Sequence, residues 1–75
     1  MERDQFLEKF AEQFDDTDSN EIKFETNFRD LDEWSSLVGL MVLGMLKEDF
    51  GIVMTAAELK TCIIVEDIYQ MINRK

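Results

Sequence analysis

Histidine and proline are absent from this chain, and cysteine occurs once, at Cys62. The lack of histidine removes the commonest metal ligand and the commonest general base near neutral pH. A lone cysteine cannot close an internal disulfide, and Cys62 lies in the apolar stretch Cys62-Ile63-Ile64-Val65, which reads as a buried small hydrophobe rather than a nucleophile. With no proline and only three glycines, Gly39, Gly44 and Gly51, a sequence rich in Leu, Met, Glu and Lys favours helices over strands. Cations are scarce too: 8 Lys and Arg stand against 17 Asp and Glu, a net charge of -9. Such a chain repels the backbone of nucleic acid and an anionic membrane surface. A basic protein surface is its natural complement, although acidity also serves solubility alone. Long apolar runs are missing as well. The longest uncharged stretch, Trp34 to Leu46, falls short of the roughly 20 residues that span a bilayer. The charged start Glu2-Arg3-Asp4 has no apolar signal core. The expectation is a cytoplasmic protein with no membrane insertion.

What is present suffices for one domain, residues 1–75. Hydrophobic residues form 45% of the chain, enough for a core and too many for a disordered segment. Phe6, Leu7, Phe10, Ala11 and Phe14 recur at helical spacing and predict an amphipathic helix over 3–14. The polar run Asp15 to Asn20 ends it and opens a long loop. Ile22, Phe24, Phe28 and Leu31 should pin that loop to the core. A second helix starts at Ser35 or Ser36 and runs to about Phe50, with Gly51 as its stop. Thr55-Ala56-Ala57-Glu58 has the form of a capping box and predicts a short third helix over 55–60. A final helix over 65–73 places Val65, Ile68, Tyr69 and Ile72 on one face. The expected architecture is all-α: a four-helix bundle of three longer helices and one short one.

Conventional catalysis finds little support. The aspartate-rich loop fails as an EF-hand, because counting from Asp16 puts Glu21 in the glycine position and Asn27 in the terminal glutamate position. Ser36 has no histidine to activate it, and Gly39 stands where a Ser-x-x-Lys arrangement needs lysine. A non-catalytic protein is expected. Ser35 and Ser36 nevertheless mark the border between polar loop and apolar helix. Unpaired N–H groups in a first helical turn, together with the helix dipole, favour a phosphate there. Either both serines cap the helix, or one caps and the other points outward.

The stretch Phe28-Arg29-Asp30-Leu31-Asp32-Glu33-Trp34-Ser35-Ser36-Leu37, followed by Glu48-Asp49-Phe50-Gly51, resembles the acyl carrier protein family, and in particular its variant with Trp before Asp-Ser-Leu. The similarity continues through Leu59 and Val65-Glu66-Asp67-Ile68, nearly the whole chain. It implies that Ser36 receives 4′-phosphopantetheine from coenzyme A and carries an acyl or aminoacyl group as a thioester, as in fatty acid, polyketide or nonribosomal peptide assembly. The implied partners are a phosphopantetheinyl transferase and acyl-transferring or acyl-activating enzymes. Ser35 stands in the place of the family's aspartate, and Ile64 where a threonine commonly caps the last helix.

The family docks its partners along helix two, so the resemblance implies a partner surface of Leu37, Val38, Met41, Met45, Glu48 and Asp49. Leu37, Leu40, Leu43, Leu46 and Phe50 would fill a core-facing stripe. Val38, Met41 and Met45 then either join the core or form an exposed apolar strip, which also offers the route for any self-association of an otherwise monomeric protein. Phe24, Phe28, Leu43, Leu46 and Ile68 would line an acyl pocket or simply a core. The rival reading is a carrier-like module that is never modified and docks through the apolar face of helix two.

Overall fold

The computed structural model describes residues 2–74. Four helices follow one another: α1 (Arg3–Ala11), α2 (Ser36–Phe50), α3 (Ala56–Lys60) and α4 (Val65–Asn73). Single 3-10 turns, Ser19–Glu21 and Phe28–Asp30, interrupt the long α1–α2 loop. Among the described residues there is no strand, only an isolated antiparallel bridge between Asn27 and Ile64. This is the all-α, three-long-plus-one-short arrangement expected from the sequence.

α1 is shorter than its apolar stripe. After Ala11 the bonding tightens: Gln13 N–H donates to Phe10 O at 3.1 Å and Phe14 N–H to Ala11 O at 3.0 Å. The next two amides turn away, Asp15 and Asp16 donating to the Glu33 carboxylate at 2.7 and 3.0 Å. Phe14 still reaches the core from this tightened turn. The other boundaries follow their local chemistry. Gly51, at φ 67°, takes the left-handed conformation that ends α2. Thr55 Oγ1 accepts from Glu58 N–H at 3.1 Å while Glu58 Oε1 accepts from Thr55 N–H at 2.9 Å, the reciprocal box that starts α3.

The core is built on aromatic side chains. Phe6, Phe10 and Phe28 are fully buried. Phe10 meets Phe14 and Phe28 at ring-centroid distances of 5.3 and 6.0 Å, and Phe6 meets Tyr69 at 5.5 Å. Ile22 is buried and Phe24 and Leu31 are half-buried against this cluster, so the loop is pinned as its composition suggests. The loop also serves α4. Ile64 has no side-chain acceptor, so the first-turn amides of α4 are satisfied from elsewhere. Val65 N–H donates to Thr26 O at 3.1 Å and Glu66 N–H to Phe24 O at 2.9 Å, while Asp67 Oδ2 accepts from the N–H groups of Ile63 and Ile64 at 3.0 and 3.1 Å. A loop carbonyl thus does what a capping threonine would do.

α2 faces the core differently from the expected stripe. Val38, Val42, Met45 and Leu46 are buried, whereas Leu37 and Leu40 are 68% and 62% exposed. Val38 and Met45 therefore do not belong to an outward strip; of that trio only Met41 is exposed, at 38%. Both faces of α2 are apolar, so hydrophobic spacing alone could not orient it. Positions 37, 40, 41 and 44 continue at three- and four-residue steps into Lys47 and Glu48, and this charged end marks the outward face.

Candidate functional site

Two networks hold the segment leading into α2. Glu33 accepts from Thr17 Oγ1 at 2.7 Å in addition to the two loop amides. Partial burial would push its carboxyl up, but these hydrogen bonds prevail and hold it below its ordinary value. Next to it, the Trp34 ring packs edge-on against Phe28 at 4.7 Å and stacks on Phe14 at 6.3 Å. On the other side, Arg29 Nε donates to Cys62 O and Nη2 to Leu59 O, both at 2.8 Å, which places a cation at the C-terminal end of α3. Glu33 and Trp34 are thereby tied to residues 14–17, and Arg29 to the C-terminal end of α3.

The two serines divide the roles left open by the sequence. Ser35 is the N-cap, with extended backbone and an Oγ that accepts from Val38 N–H at 3.2 Å. Ser36 is the first residue of α2 and is exposed. Among the described residues no hydrogen bond engages its hydroxyl. Ser35 thus makes the capping bond without bringing a carboxylate beside Ser36.

Beside Ser36 a groove of about 250 Å³ runs between α2 and α3, with Gly39, Leu43 and Leu59 beneath it and Arg29 and Lys60 among its walls. Of the residues considered for an acyl pocket, only Leu43 borders it; Phe28, Leu46 and Ile68 are fully enclosed in the core. Leu37 and Met41 lie on the exposed face of α2, with Glu48 and Asp49 exposed at its C-terminal end. Leu40, absent from the expected partner surface, is among the most exposed large apolar residues. Its proximity to Lys47 in helical register was the available signal. Arg29 and Lys60 come together only through the fold.

The fold and site define a small helical domain with an accessible serine at the head of its central helix. No family model, curated protein or solved structure matches the chain. Among the described residues no helix is long and apolar enough to cross a membrane.

Proposed function

We propose that this chain is a cytoplasmic carrier domain, not itself catalytic, whose Ser36 is esterified by 4′-phosphopantetheine. The observation that carries the reading is the division of labour at the α2 terminus: Ser35 supplies the cap, which leaves the exposed Ser36 hydroxyl uncommitted. In the loading step Ser36 Oγ attacks the coenzyme A phosphorus next to pantetheine. A phosphodiester forms, the pyrophosphate bridge breaks, adenosine 3′,5′-bisphosphate leaves, and the transferase removes the hydroxyl proton. The terminal thiol then holds an acyl or aminoacyl group as a thioester for partner enzymes. Tethering of this kind gives effective concentrations on the order of millimolar.

The experiment is loading with coenzyme A, Mg²⁺ and a broad-specificity phosphopantetheinyl transferase, read by intact mass. Wild type and Ser35→Ala should gain one phosphopantetheine, and Ser36→Ala none. Absence of an adduct with several transferases overturns the reading. One observation favours a second reading, an unmodified docking module: Leu37, Leu40 and Met41 expose a contiguous apolar face on the charge-free part of α2. That module would retain partner binding in Ser36→Ala and lose it in Leu40→Asp.

A further inference from the structure

The groove beside Ser36 differs in charge from the rest of the molecule. The chain carries 17 acidic residues against 8 basic ones, yet no acid lines this groove, while Arg29 and Lys60 both do. Arg29 is held in place through Nε and Nη2, and among the described residues its Nη1 donates to nothing. Lys60 is exposed and forms no ion pair among the described residues. Both cations thus retain donors for an anion. The floor also has a feature that packing does not require. A Cβ at Gly39 would meet Leu59 Cδ2 and Trp34 Cζ2 at 3.6 Å, ordinary contact, so a methyl group would fit. Alanine would also favour the helix. Glycine there leaves open a space that neighbouring side chains do not need.

We infer that this groove seats the phosphate end of the arm on Ser36, with Arg29 and Lys60 pairing to the phosphodiester and the branched carbon skeleton next to the phosphate lying over Gly39 and Leu59. The inference rests on the attachment reading for Ser36. The arm offers both chemistries that the lining presents: an anion for the two cations and, beside it, a quaternary carbon bearing two methyl groups for the apolar floor. With only the phosphate end seated, the thiol end remains free to reach an enzyme. A solvent-exposed lysine makes the hold weak, so a docking partner can lift the arm away.

The test uses the full ¹⁵N-labelled chain as wild type, Lys60→Gln and Lys60→Glu; Arg29 is left unchanged because it also holds α3. Loading is followed by intact mass, and amide shifts are compared before and after. Loading should move the Gly39, Ala56 and Leu59 amides, and Lys60→Glu should shrink those changes by about threefold at equal loading. Shifts confined to Ser35–Leu37 and indifferent to Lys60 overturn the inference while leaving attachment intact. If no mass adduct forms, the attachment reading fails, and free 4′-phosphopantetheine is titrated against pantetheine. Stronger binding of the phosphorylated compound at the same amides, weakened in Lys60→Glu, then sustains the groove as an anion-headed site. Equal responses, or none, overturn it.

Discussion

Arg3 and Glu66 form a two-point ion pair, Nη1 to Oε2 at 3.1 Å and Nη2 to Oε1 at 2.5 Å, that joins the start of α1 to the first turn of α4. The guanidinium lies 4.0 Å from the centroid of the Phe24 ring and 4.9 Å from that of Tyr69, so one side chain gathers three segments. Hydrogen bonds from Arg3 and then Gln70 lower the Glu66 carboxyl from 4.5 to about 2.

An acid-side loss of stability follows. A carboxyl whose folded value lies below its unfolded value binds more protons when unfolded, so its contribution is present above about 4.5 and disappears as pH falls towards about 2. Thermal melts of wild type and Glu66→Gln should differ most near neutrality and converge at the acid end of that window. Because the pair is solvent-exposed, added salt should narrow the difference.

Glu33→Gln tests the tie between residues 15–17 and the segment that leads into α2. A neutral amide cannot accept from Asp15 N–H, Asp16 N–H and Thr17 Oγ1 as the carboxylate does. We expect a lower denaturation midpoint in urea. Faster hydrogen exchange at Asp15 and Asp16 should accompany it, with little change at Gly51.

The two helical glycines give a paired prediction. At Gly44 nothing lies within 4 Å of an added Cβ, and at Gly39 the contacts are ordinary. Each substitution by alanine should raise stability by up to about 1 kcal/mol through helix propensity. Gly39→Ala alone should also narrow the groove, and so reduce the amide shifts that accompany loading of Ser36.

The orientation of α2 predicts a contrast between its two faces within a single turn. Val42→Ala removes two methyl groups from a fully buried position and should cost about 1–3 kcal/mol, whereas Leu40→Ala, 62% exposed, should stay within about 0.5 kcal/mol. Equal losses from urea denaturation would contradict the assignment of these faces.

Helix positions were legible because they depend on local signals. The Thr55–Glu58 box and Gly51 mark ends that appear in the fold where spacing and caps put them. The facing of α2 was less legible, since Val38 and Leu40 are equally apolar and only Lys47 and Glu48 distinguish the two sides. Ser36 could be singled out from its place at a helix border. The groove could not, because Arg29 and Lys60 are far apart in sequence and charge-to-backbone contacts such as Arg29 with Cys62 leave no periodic trace. That Ile64 offers no capping oxygen was visible, but the Phe24 and Thr26 carbonyls that accept from the first turn of α4 were not.

Those two carbonyls also determine how the domain can come apart. Val65 and Glu66 amides lose their partners whenever the segment around Phe24–Thr26 lifts from the bundle, so the last helix frays with the loop rather than independently of it. Their exchange rates therefore serve as built-in gauges of a distant segment. A peptide limited to the C-terminal third would lack these acceptors, and its circular dichroism should show mainly coil.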